Sequence, residues 1–201
     1  MDNPAIKLIV NVLLAALLLL FVYAVFRLIV RRDYAAQGRL GALSSGLQLL
    51  VFIGFFCFPY LFNPPEWAWF WLAGSSSSPG LYLAGLLVIC TGFVVAFGTM
   101  GWFGIKRAFG TSVDGLQQEG PYKISRNPQV LGGYMMVIGV SIQWPSLYSL
   151  GWILLYATIT HWMVITEEEH LDRVFGEAYQ QYCARVPRYI FPAGKNDVGS
   201  A

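Results

Sequence analysis

The sequence predicts an all-α integral membrane protein: five transmembrane helices, the last two a tight hairpin, followed by a cytoplasmic C-terminal amphipathic helix. Three observations carry this. Of 201 residues, 56% are hydrophobic and 12% charged, whereas a soluble domain carries about 25% charged residues. A single water-soluble core of this size cannot hide so much apolar surface. Apolar runs recur at membrane-spanning length, and the basic residues fall almost entirely on one side of the layout those runs define.

The first run, 5–30, is interrupted only by Lys7, Asn11 and Arg27. It is too long for a signal peptide, and Arg31 and Arg32 stand where a small-residue cleavage site would be, so it reads as a retained helix. The second span is 41–62 and the third 80–100. Between them, Pro64-Pro65, Trp67, Trp69, Trp71 and a serine run break helix and suit a loop at headgroup level. Residues 101–129 are polar. Apolar character then runs from Val130 to Thr166, too far for one span, and Gln143-Trp144-Pro145-Ser146 divides it into 130–143 and 147–166. The first arm is short and reads as tilted or partly inserted. Gly85 and Gly92, at heptad spacing, suit close helix packing.

Of the 13 Lys and Arg, all but Lys7 lie in or flank the first connection, or lie in the third connection or the tail. The positive-inside rule therefore puts the N-terminus outside and the C-terminus in the cytoplasm. The net charge of +2 gives no case for a nucleic-acid partner. Cys57, Cys90 and Cys183 are far apart and imply neither a disulfide framework nor a zinc site. No Ser/His/Asp or Cys/His constellation is present. Gly98, Gly101 and Gly104 follow no strand, which excludes a dinucleotide fingerprint. His161, inside an apolar helix, reads as a packed core residue, and His170 as a surface one.

Two polar segments, 101–129 and 167–192, bracket the hairpin, which must bring them together on one face. In the first, Asn127-Pro128 is helix-start chemistry, with Asn placed to cap and Pro at the first helical position. Arg126 gains nothing from the positive end of that helix: either Arg and free N–H groups together suit a carboxylate or phosphate, or the side chain snorkels at the interface. Gly132-Gly133 leaves a surface free of side chains, fit for a flat ring or for helix packing. In the second, Glu168, Leu171, Phe175, Tyr179 and Tyr182 form one helical stripe opposite Arg173, Glu177, Gln180 and Arg185. Gly176 marks a close contact or bend. Glu167, Glu168 and Glu169 repel one another at a membrane edge. Glu168 faces inward and is the functional candidate. Glu169 is expected on the solvated face, paired with Arg173.

These segments together resemble the isoprenylcysteine carboxyl methyltransferase and phospholipid methyltransferase superfamily of integral membrane enzymes. Gly120-Pro121-Tyr122, Arg126-Asn127-Pro128 and Gly132 match its first motif. Glu167-Glu168, Leu171, Phe175-Gly176, Tyr179, Tyr182 and Val186-Pro187-Arg188 match its second, so the likeness runs from Leu116 to Pro192. Asn127 replaces the family's His and Val130 its Tyr. The resemblance implies methyl transfer from S-adenosyl-L-methionine to a lipid-like or small hydrophobic acceptor drawn from the membrane. It assigns Gly120, Tyr122, Arg126, Asn127, Pro128, Gly132, Glu167, Glu168, Tyr179, Tyr182 and Arg188 to the cofactor. Arg126 and Glu168 are its catalytic pair, Arg126 meeting the cofactor carboxylate and Glu167 or Glu168 its ammonium and ribose. An NADPH-dependent membrane reductase is the alternative of related architecture. A catalytically silent scaffold is the reading that Asn127 prompts.

Overall fold

A computed structural model describes residues 4–61, 78–103 and 115–190, and among these every regular element is helical. The tryptophan cluster at 67–71, Lys106, Arg107 and the tail beyond 190 lie outside the described residues. Helix α1 (Pro4–Tyr23) continues without a break through a π-helical stretch, Ala24–Val30, into α2 (Arg31–Gln37). The helix thus passes the expected end at Val30 by two turns. Gly38, at φ 64°, then stops it in the left-handed region that favours glycine. Next come α3 (Ala42–Cys57), closed by a 3₁₀ turn at Phe58–Leu61, and α4 (Pro79–Phe103). The hairpin is α5 (Pro128–Gln143) and α6 (Leu147–Phe175), and α7 (Glu177–Arg185) ends the described fold.

Four helical stretches are long and apolar enough to cross a membrane: Ala5–Gln37, Ala42–Tyr60, Pro79–Trp102 and Leu147–Phe175. The fifth expected span, α5, has 16 residues, about 24 Å of helix against a hydrocarbon core of about 30 Å. Its short length is met by partnership. Buried Gln143, in the break between the hairpin arms, donates from Nε2 to the Tyr82 carbonyl of α4 at 3.1 Å. The turn is then secured by Ser146 and Ser149, which cap α6 reciprocally.

The α4–α5 contact is a glycine seam. A Cβ on Gly92 would lie 2.5 Å from the Gly132 carbonyl, and one on Gly139 would lie 2.7 Å from the Gly85 carbonyl. Two glycines seven residues apart on each helix let the backbones meet where no side chain fits. The other half of the core joins α1, α3 and α6: Val22, Val25 and Phe26 pack with Val51, Phe55, Trp152, Tyr156 and Ile159. Phe55 stacks on Trp152 at 5.0 Å, and the indole N–H donates to the Phe55 carbonyl at 3.1 Å. The outward face carries Leu13, Leu17 and Leu20 of α1, Leu83 and Leu87 of α4, and Leu150 and Leu154 of α6, all exposed. Such a belt is unstable in water and at ease in lipid.

Helix α6 does not end where its polarity changes at Thr166. Nothing in Glu167–Phe175 breaks a helix, so it runs on until Gly176, whose φ of 47° turns the chain into α7. The predicted amphipathic helix is therefore the last two turns of α6 plus α7.

The seam predicts an asymmetry among glycines. Gly132→Ala puts a Cβ 2.5 Å from the Ala96 backbone nitrogen, and overpacking of this kind costs about 1–3 kcal/mol. Gly98, also inside α4, has open space around it, and Ala there gains up to about 1 kcal/mol of helix propensity. Thermal melts in detergent should show Gly132→Ala several degrees below wild type and Gly98→Ala at or above it.

Candidate active site

The polar segment before α5 is stapled to the chain after α7. Gly120, at φ 58°, opens a 3₁₀ turn, Gly120–Lys123, against the Trp102 ring. Buried Tyr122 accepts at its carbonyl from the Tyr182 hydroxyl at 2.8 Å. The Arg126 N–H donates to the Pro187 carbonyl at 2.9 Å, while Ser125 Oγ and Asn127 Nδ2 both donate to the Arg188 carbonyl, at 3.1 and 3.2 Å. Val186-Pro187-Arg188 thus receives the loop along its backbone. Asn127 stands at the N-cap of α5 with Pro128 at the first helical position, but its side chain makes no cap bond. The amide serves the staple instead, which corrects the capping expectation.

This brings three charges into contact. Glu168 Oε1 lies 3.0 Å from Arg126 Nη1, and Glu168 Oε2 lies 2.6 Å from Arg188 Nη2. Arg188 Nε, 3.0 Å from Oε1 and 3.2 Å from Oε2, makes that contact two-pronged. Arg126 is 9% exposed, and its Nη1 also meets the Tyr179 hydroxyl at 3.3 Å and Cys183 Sγ at 2.7 Å. Its Nε, buried, has no hydrogen-bond partner among the described residues. Burial alone would favour a neutral guanidine, but Glu168, Tyr179 and Cys183 together more than offset it and hold Arg126 charged, above its ordinary range. Burial pushes the Cys183 thiol and Tyr179 phenol up, so neither offers an anion. Two arginines share one carboxylate, leaving the cluster one positive charge in excess.

Glu167 differs from its neighbour. Its side chain is exposed at the surface, yet protein is packed densely around it. Burial, with the charge of Glu168 added, pushes it up to about 7. It lies near enough to Tyr34 and Tyr122 to raise both phenols beyond what burial does.

The structure therefore brings together Arg126, Glu168, Tyr179 and Arg188, with Tyr122, Asn127, Tyr182 and Glu167 beside them. Gly120 and Pro128 shape the loop. Gly132 is buried in the α4–α5 seam, so of its two expected uses it serves packing, not a ring surface. Glu169 is not paired with Arg173: it reaches back to the first helix, with Oε1 2.8 Å from Arg27 Nη2 and Oε2 2.7 Å from Arg31 Nε. The two histidines exchange roles. His161 is exposed, while His170 is 4% exposed and its ring stacks on Tyr34 at 4.1 Å. Sequence reasoning missed Tyr34, Arg27 and Arg31 as neighbours of the site. The available signal was Arg27, an ionisable residue inside an apolar run.

The family model for phospholipid methyltransferase matches residues 80–178. No curated protein and no solved structure matches the chain. The matched stretch takes in α4, the hairpin and the first residues of α7, and so carries the glycine seam, Arg126 and the three glutamates. It omits α1–α3, Tyr182 and Arg188. Residues 80–178, about half of the chain, thus carry the phospholipid methyltransferase family, which lies within the superfamily of integral membrane methyltransferases.

Proposed function

We propose that the protein transfers a methyl group from S-adenosyl-L-methionine to a lipid-like or small hydrophobic acceptor at the cytoplasmic membrane face. The observation that carries this reading is the meeting of Arg126, Arg188 and Glu168 beside Glu167, at the polar end of an apolar hairpin. The donor set suits the cofactor. The excess positive charge and the Arg126 Nε, without a partner among the described residues, await a carboxylate, and Glu167, free of arginine contact among those residues, is placed for an ammonium or ribose hydroxyl. When bound, the cofactor supplies an electrophilic methyl on a sulfonium. The protein's part is alignment and exclusion of water. Arg126 and Arg188 hold Glu168 rigid, Tyr179 braces Arg126, and Tyr182 fixes the Tyr122 turn. An acceptor can enter sideways from the lipid that the exposed leucines imply, with the soluble donor entering from the polar end.

Calorimetry of the detergent-purified chain with S-adenosylhomocysteine tests the cofactor, and absence of binding up to millimolar concentration overturns it. Radiolabelled methyl incorporation into membrane extract tests transfer. Loss of one member of a desolvated charged contact costs about 2–5 kcal/mol, or about 30-fold or more in affinity. Arg126→Ala and Glu168→Ala should each weaken binding by that factor.

Glu167 adds a pH signature. Its carboxylate form is present above about pH 7, so if it receives the ligand ammonium, affinity should rise about tenfold between pH 6 and pH 8. Stability should run the opposite way. An acid raised on folding binds its proton more tightly in the native state, so its stabilising effect is full below the ordinary carboxylate range and lost as pH rises through about 7. Glu167→Gln should flatten both profiles, as read by calorimetry and thermal melts across that range.

A further inference from the structure

The turn of α6 that carries Glu167 and Glu168 is gripped from behind by the first helix. Thr166, Glu169 and His170 occupy one face of α6 at steps of three and four. Each meets a residue of the segment Ala24–Gln37. Arg27 Nη1 donates to Thr166 Oγ1 at 3.2 Å, and the Phe26 carbonyl lies 3.3 Å from the same hydroxyl. Arg27 and Arg31 take one Glu169 oxygen each. Tyr34 lies flat on His170, the rings 9° from parallel, with both imidazole nitrogens buried and without hydrogen-bond partners among the described residues. Arg27, Arg31 and Tyr34 are themselves one helical face, and Arg27 sits inside the π-helical stretch. A π segment leaves carbonyls and side chains off the α-helical register and often marks a functional position. All three gripping residues lie outside the family match at 80–178.

We propose that Arg27, Arg31 and Tyr34 are positioning residues of the methyl-transfer site, acting through Glu169 and His170 to hold the Glu167-Glu168 turn in its binding geometry. This rests on the cofactor reading above. Three adjacent carboxylates on one turn repel. Neutralising Glu169 from the α1 side removes a like charge next to Glu168 and fixes the helix rotation that aims Glu168 at Arg126 and Arg188. An unpartnered buried imidazole gives up hydrogen bonds to water, so the Tyr34 stack is retained for contact and placement. Site geometry tolerates little displacement, since about 1 Å can cost about 100-fold in rate.

The test uses the full chain in detergent and reads S-adenosylhomocysteine affinity, melting temperature and amide hydrogen exchange at 166–170. Glu169→Gln and Tyr34→Ala should each weaken binding by about tenfold or more and speed exchange at that turn. Tyr34→Phe, which keeps the ring, should stay within about threefold of wild type. Trp152→Phe, which deletes the indole bond to Phe55 far from the site, controls for stability alone: it should lower the melting temperature with affinity unchanged. Glu169→Gln and Tyr34→Ala binding as tightly as wild type overturns the proposal and leaves the cofactor reading standing. If wild type itself binds no S-adenosylhomocysteine, the cofactor reading falls, and exchange decides the rest: faster exchange in both variants supports the grip, and unchanged exchange overturns it.

Discussion

The contact on which the rest of this structure depends is Glu168 shared between Arg126 and Arg188. A half-buried carboxylate held by two arginines is stable only as a set, because removing one partner of such a pair strands a charge at about 3–5 kcal/mol. The three members come from the loop before α5, the shaft of α6 and the chain after α7. They can meet only if the hairpin returns to its starting level and α7 folds back over it. Gly176 provides the turn, and the Pro187 and Arg188 carbonyls hold the loop in register. The membrane half of the molecule serves the same end: the glycine seam pulls short α5 against α4, which fixes where Arg126 emerges.

Polar and apolar halves are held by different forces. Within the spans, lipid offers helices little hydrophobic reason to associate, so the contacts are backbone-close glycines, one buried glutamine and an indole bonded to a carbonyl. At the polar end, charge and hydrogen bonding take over: Glu168 and Glu169 each find two arginines, and Asp172 accepts from the Gln180 amide. The change of regime occurs inside one continuous helix, at Thr166, without any backbone break.

The sequence made much of this legible, and the failures share a cause. The Glu168–Tyr182 stripe followed from steps of three and four, and Arg126 stood out as a cation at the wrong end of a helix. The spans followed from apolar runs, but their ends were read at changes of polarity, and a helix stops for backbone reasons, so α2 and α6 run on to Gly38 and Gly176. The histidines were reversed because apolar neighbours mark a buried face only in water. In lipid they mark the outside equally well, and His161 faces it. Asn127 obeyed the N-cap rule in position and not in bonding, since its amide is turned so that Nδ2 donates to the Arg188 carbonyl. Glu169 was assigned Arg173 because helical spacing sees only neighbours on its own helix. Its partners Arg27 and Arg31 lie far back in the chain, where only tertiary folding could bring them.

Three glutamates in succession project about 100° apart around a helix, so they cannot share an environment. Glu168 has two arginines and Glu169 has two. Among the described residues no salt bridge reaches Glu167. Glu167 is left with the dense packing around it and the charge of Glu168, and with no cation to offset either, so burial first and Glu168 second push its carboxyl up to about 7. Replacing Glu167 by a neutral residue would relieve that repulsion, and the fold does not need its charge for any contact described. A charge kept at a cost to the fold, close to Tyr34 and Tyr122, is most readily understood as serving a bound group. The surroundings specify its sign, since an anion there would meet Glu167 itself. A cation would lower the cost, which agrees with the ammonium end of the cofactor proposed above.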